Sequence, residues 1–131
     1  MTETPKKIIL LVDDEEDILA LLEKKLTERG FKVITANRGR EAMQKVKINM
    51  PHLILMDIVL PDIGGPEAVK MIKEDPTTRH IPIIFLSGIV SKEEEDIQMG
   101  VQVDGVRYHA LAKPFMFQDL YNEIEKALSD K

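Results

Sequence analysis

Short apolar runs alternate with helix-period stripes along this chain. Ile8-Ile9-Leu10-Leu11-Val12, Leu53-Ile54-Leu55-Met56 and Ile83-Ile84-Phe85-Leu86 are continuous apolar stretches, the pattern of strands covered on both faces. Lys32-Val33-Ile34-Thr35-Ala36 alternates more and reads as an edge strand, while Arg107 to Ala112 supplies a fifth, weaker strand. Between them Ile18, Leu19, Leu22 and Leu26 form a helical stripe that Gly30 stops. Ala42, Met43, Val46 and Met50 repeat the stripe before Pro51. Pro66 suits a first-turn position ahead of Ala68, Val69 and Ile72, with Pro76 behind. Ser91-Lys92-Glu93-Glu94 reads as a capping box opening a polar helix, and Phe117, Leu120, Ile124 and Leu128 give a last helix its buried face. Strand and helix in strict alternation imply a parallel sheet with helices on both faces, and right-handed crossovers make it a three-layer α/β sandwich. With no repeat or linker in sight, residues 1–131 read as one domain with its core at about 6–128.

Composition narrows the chemistry. The chain has 131 residues, 44% of them hydrophobic and 31% charged, which suits one globular core and argues against disorder. Eighteen Lys plus Arg against 23 Asp plus Glu leave a charge of −5. No excess cation is available to displace counterions from phosphate, so direct nucleic-acid binding is not expected. Zero cysteines exclude disulfides, a thiolate zinc site and a cysteine nucleophile, and fit a cytoplasmic protein. His52, His80 and His109 lie too far apart for a histidine metal site. The first apolar run, Ile8 to Val12, is far short of a membrane span, so no membrane partner is expected.

In an open parallel sheet, ligands bind beyond the carboxyl ends of the strands. The first run delivers Asp13, Asp14, Glu15, Glu16 and Asp17 to that rim. The third delivers Asp57, the fourth Ser87 and Gly88, and the fifth Lys113 and Pro114. A dinucleotide or P-loop site needs glycines after the first strand, whereas this turn is all acid and would repel phosphate unless a cation intervened. Carboxylates and carbonyl oxygens suit Mg²⁺. With Lys113 as a fixed positive charge and Ser87 as a neutral donor, the set suits transfer of a phosphoryl group to a carboxylate. Glu15, Glu16 and Asp17 are read chiefly as first-turn acids that complement a helix dipole. Asp13 and Asp14, taken alone, fit either role. Asp57 ends an otherwise apolar run, where a carboxylate is costly unless bonded, paired or metal-bound. Ser87 or Lys113-Pro114 alone says little; their convergence on one rim carries the argument.

These segments resemble the receiver domain of two-component response regulators. The resemblance rests on Ile9 to Asp14 (ILLVDD), Leu53 to Gly65 (LILMDIVLPDIGG), Ile81 to Gly88 (IPIIFLSG) and Ala112 to Phe115 (AKPF), and it covers essentially the whole chain. It implies a flavodoxin-like fold with a five-stranded parallel sheet of order 2-1-3-4-5. Asp57 would be the phosphoryl acceptor. Asp14 and Asp57 would ligate Mg²⁺ directly, Asp13 through water, and the Val59 carbonyl would complete the protein ligands. Ser87 would bond the phosphoryl oxygen, Lys113 would pair with it, and the Lys113–Pro114 bond would be cis. The implied donor is a sensor histidine kinase or phosphotransfer protein. The implied target is a downstream effector protein or an output domain outside this sequence, with phosphorylation-dependent dimerisation as a further family behaviour. Such a domain is a signalling phosphoacceptor that catalyses only its own phosphorylation and slow dephosphorylation. The apolar Val59 and Ile89, flanking the expected path of hydrolytic water, point to slow loss of the phosphoryl group.

Two departures stand out. The family's aromatic three positions before the lysine is Ala110 in this chain. Tyr108, on the same face of a regular strand, either substitutes or leaves the usual aromatic rotation absent; we take it as absent. The stretch from Ser87 to Lys113 is also long, and the surplus is placed in a loop at Gly100 to Arg107, beside a remodelled fourth helix. The competing reading is a degenerate receiver that binds proteins independently of phosphorylation, marked by loss of Asp57, Lys113 or the acidic pair; all are present. A haloacid-dehalogenase-type phosphatase would need Asp-x-Asp after the first strand, and a flavodoxin-like redox carrier a Ser/Thr/Gly phosphate loop there.

Overall fold

The computed structural model describes residues 6–87, 101–113 and 115–129. Their elements are β1 (Ile8–Val12), α1 (Glu16–Glu28), β2 (Lys32–Ala36), α2 (Gly39–Asn49), β3 (Leu53–Asp57), α3 (Gly65–Glu74), β4 (Ile83–Ser87), β5 (Val101–Val103), β6 (Val106–Ala112) and α4 (Phe117–Ser129). The strands form one sheet in the order β2-β1-β3-β4-β6-β5. Every pairing is parallel except β5 with β6.

The continuous apolar runs are buried on both faces, and their period-2 alternation sorts them into two cores. Leu10, Val12, Ile54, Met56 and Phe85 face the layer made by α2 and α3, with Ala42, Val46, Ala68, Val69 and Ile72 packed against them. Ile9, Leu11, Leu53, Leu55, Ile84 and Leu86 face α1 and α4, which bury Leu22, Leu26, Leu120 and Ile124. Helix ends follow the chain's punctuation. Gly30 takes φ +96° after α1, and the Gly30 and Phe31 N–H groups donate to the Thr27 and Leu26 carbonyls, a Schellman stop. Pro66 sits in the first turn of α3, as its fixed φ favours.

The expected five-stranded sheet is corrected to six, because the stretch read as a loop at Gly100 to Arg107 contains a hairpin. Asp104 and Gly105 both take positive φ, 54° and 81°, between the paired Val103 and Val106. That is the two-residue turn whose twist matches paired strands, and Asp-Gly is among its preferred sequences. Val101 and Val103 thereby join Tyr108 and Ala110 over the α3-side core, which is why the added strand is stable as an antiparallel edge. The Ser91–Glu94 helix start, Gly88, Ile89, Gly100 and Pro114, hence the cis bond, fall outside the described residues.

Candidate functional site

The carboxyl ends of β1, β3, β4 and β6 meet at one rim, as parallel register requires. Asp13 follows β1 and is fully buried, Asp57 is the last residue of β3 and 5% exposed, and Ser87 ends β4 fully buried. Lys113 follows β6, its backbone N–H donating to the Ser87 carbonyl at 2.6 Å. The ladder between β4 and β6 thus delivers lysine and serine side by side.

The side chains converge on one charge cluster. Lys113 Nζ lies 2.5 Å from Asp13 Oδ2, 3.4 Å from Glu15 Oε1 and 3.6 Å from Asp57 Oδ2. Asp13 Oδ1 accepts the Glu15 N–H at 2.9 Å, and Asp57 Oδ1 accepts the Val59 N–H at 3.3 Å. Asp14, exposed, completes a trio with Asp13 and Asp57 in which one oxygen from each lies within 4.8 Å of the others. Val59 is two residues beyond Asp57 in the β3–α3 loop, its side chain largely exposed.

Burial, and then the negative charge of Asp13, push the Asp57 carboxyl up to about 6, against the opposing pull of Lys113 and the Val59 N–H. For Lys113, burial works against the ammonium, but the Asp13 hydrogen bond and the Asp57 and Asp13 charges outweigh it and raise its pKa. Two carboxylates crowded in a half-dry pocket against one lysine carry more negative charge than the site neutralises. An oxygen-seeking divalent cation fits that donor set, and Asp13, Asp14 and Asp57 are the residues present to hold it. The arrangement presents one carboxylate oxygen as a nucleophile beside a cation that would neutralise charge arriving with an electrophile.

All the predicted side chains, Asp13, Asp14, Asp57, Ser87 and Lys113, reach this rim. Two residues do more than the sequence indicates. Glu15, whose sequence context points to the helix dipole, is the first flanking residue of α1 but also reaches Lys113. Asp62 has no role legible in the sequence. Its two carboxylate oxygens accept the Gly39 and Arg40 N–H groups at 2.8 and 2.9 Å, fastening the β3–α3 loop to the start of α2. The available signal was the residue before α2: Arg38 makes no side-chain cap bond there.

Comparison with known proteins agrees in family and fold. Residues 9–125 match the response regulator receiver domain family. The polar-differentiation response regulator DivK of Brucella anthropi is 36% identical over 95 residues, covering 72% of this chain and 77% of that protein. The alkaline phosphatase synthesis transcriptional regulatory protein PhoP of Bacillus subtilis is 34% identical over 122 residues, and the chain spans only 48% of its length. Among solved structures, the chemotaxis response regulator CheY4 of Vibrio cholerae superposes with a TM-score of 0.81 at 29% identity, covering 95% of this chain and all of that one. No helix among the described residues is long and apolar enough to cross a membrane.

Proposed function

The chain belongs to the response regulator receiver domain family, and on that premise we propose that it accepts a phosphoryl group on Asp57 from a phosphohistidine of a sensor kinase or phosphotransfer protein in the cytoplasm. The observation that carries the reading is Asp57 itself: a nearly buried carboxylate at a strand end, crowded by Asp13 and faced by Lys113.

An Asp57 oxygen attacks phosphorus; the O–P bond forms as the P–N bond breaks, and the leaving imidazole is reprotonated from solvent. Asp13, Asp14, Asp57 and the Val59 carbonyl would hold Mg²⁺, which would supply charge neutralisation for the transferring group. The product adds roughly −1.5 to −2 charge at Asp57. Lys113 then exchanges its contact with Asp13 for the phosphoryl oxygen, and Ser87 donates its hydroxyl to another. The loop after β3 shifts between two packings, and the changed surface controls an effector protein or an attached output domain. Tyr108 is held edge-on to Phe85 at 6.0 Å, with Lys73 Nζ 5.6 Å from its ring centroid. That anchoring supports a switch without the aromatic rotation. The exposed apolar Val59 favours slow hydrolysis of the acyl phosphate.

The test is transfer of labelled phosphoryl from a histidine-phosphorylated donor protein. Label is expected on the wild-type chain, absent when chelator is present during transfer and absent from Asp57→Asn, with a phosphoryl half-life well beyond seconds. Label that stays on every donor tried would contradict the proposal and favour a binding module independent of phosphorylation.

A further inference from the structure

Helix α2 begins without a cap of its own. Its N-cap residue, Arg38, has the extended backbone (φ −145°, ψ 155°) that Ser, Asp or Asn adopts when capping, yet its side chain makes no such bond. The first two helical N–H groups, of Gly39 and Arg40, instead meet the two oxygens of Asp62, from the middle of the acceptor loop. A two-oxygen grip fixes the carboxylate's orientation as well as its distance. The loop also packs closely against the helix start. A Cβ on Gly39 would lie 2.4 Å from Ile63 Cγ1 and 3.0 Å from the Ile63 carbonyl oxygen, so only glycine permits this approach.

The same loop carries the acceptor chemistry. It leaves β3 at Asp57, whose Oδ1 takes the Val59 N–H. It is held at its start by the Ile58 N–H on the Leu86 carbonyl and at its end by the Gly65 N–H on the Ile58 carbonyl. Asp62 lies between Val59 and that closing bond, so its grip on α2 fixes the far side of the loop.

We propose that Asp62 is a positioning residue for the acceptor site: by tying the loop to the start of α2, it holds Val59 and Asp57 in the arrangement that takes the divalent cation and the phosphoryl group. The inference rests on the proposed phosphoacceptor role. A cap alone could be supplied locally by residue 38; a cap drawn from the acceptor loop couples the helix to the site. Groups bonded directly to metal ligands contribute about 10- to 100-fold in affinity, and Asp62, which acts through the loop backbone, belongs at or below the low end of that range.

The test separates capping from positioning by pairing Asp62→Ala with Arg38→Asp, which gives α2 a cap of its own. Mg²⁺ affinity is measured by titration calorimetry, phosphorylation by acetyl phosphate at saturating Mg²⁺, and stability by thermal melting. Asp62→Ala is expected to weaken Mg²⁺ binding roughly tenfold and slow phosphorylation. The double variant is expected to recover the melting temperature but neither of the other two. Full recovery of all three would reduce Asp62 to a cap and overturn the proposal, as would unchanged Mg²⁺ affinity in Asp62→Ala. If Asp62→Ala alone does not fold, the locally capped double variant carries the comparison. A wild-type chain that binds Mg²⁺ but takes no phosphoryl group would defeat the phosphoacceptor reading while leaving Asp62 to be judged on affinity. A wild-type chain that binds no Mg²⁺ overturns both.

Discussion

Gly64 and Gly65 are neighbours with opposite expectations. A Cβ added at Gly65 would lie 2.2 Å from the Asp57 carbonyl oxygen and 3.1 Å from both the Asp57 carbonyl carbon and the Ile58 Cα. All three are backbone atoms of Asp57 and the residue after it, so no side chain can swing aside, and α3 would have to move away from β3. Overpacking of this kind costs about 1–3 kcal/mol, and a backbone obstacle belongs at the upper end. Replacing glycine by alanine in a helix returns up to about 1 kcal/mol, less at a first position. The clash therefore wins, leaving about 2 kcal/mol of net destabilisation for Gly65→Ala. At about 2.1 cal/mol/K of unfolding entropy per residue, that lowers Tm by roughly 7 °C. At Gly64, the residue before the helix, the nearest atoms to an added Cβ are 3.8–3.9 Å away. Gly64→Ser should therefore be neutral or stabilising by a few tenths of a kcal/mol, since serine is a favoured N-cap. Thermal melting of both variants by circular dichroism is the assay, with phosphorylation by acetyl phosphate measured alongside. A Gly65→Ala chain that melts within a degree or two of wild type would refute the close-packed junction of α3 against the acceptor.

Asp57→Asn should stabilise the metal-free protein at neutral pH. The Asp57 carboxyl is raised from its ordinary 3.8 to about 6, so the folded state holds a proton that the unfolded state has already lost. Its contribution to stability is present below pH 4, lost as pH rises through 6, and amounts to about 3 kcal/mol at most. The mutant's advantage in urea unfolding with chelator should accordingly grow between pH 4 and 7 and shrink on adding Mg²⁺; a difference flat with pH contradicts it. Gly105→Ala places a side chain at φ +81° with no atom within 4 Å of its Cβ, so only backbone strain of about 1–2 kcal/mol is added. Hydrogen exchange should quicken in the β5–β6 hairpin and not in β1 or β3; quickening throughout the sheet would show that the hairpin is not a local unit. Lys73 Nζ donates to the Arg79 and Ile81 carbonyls at 2.8 and 2.6 Å. Lys73→Met keeps the stem but removes both bonds, and chemical denaturation should report a loss of about 1–3 kcal/mol; an unchanged midpoint would count against that strut.

Where the pattern was local and strongly periodic, the chain could be read directly. The apolar runs of β1, β3 and β4 have no polar position until the rim, so their burial and the delivery of Asp13, Asp57 and Ser87 to one edge followed from strand geometry alone. Lys113 followed from the same rule. The hairpin is not legible despite its Asp104-Gly105 signal, because Val101-Gln102-Val103, between Gly100 and that turn, is too short to announce a strand. Asp62 and Glu15 were missed for a different reason. Their partners, the α2 N–H groups and Lys113, lie 22 or more positions away and are joined to them only by the folded topology. A carboxylate's local context shows that it is polar, not which helix end or ammonium it will meet.

The most direct measurement is the intact mass of the wild-type chain and of Asp57→Asn after incubation with acetyl phosphate, each with Mg²⁺ and with chelator. The account predicts one phosphoryl adduct on the wild type, present only with Mg²⁺ and absent from the mutant. A folded wild-type chain that takes no adduct, or an adduct that persists in Asp57→Asn, would contradict Asp57 as the acceptor.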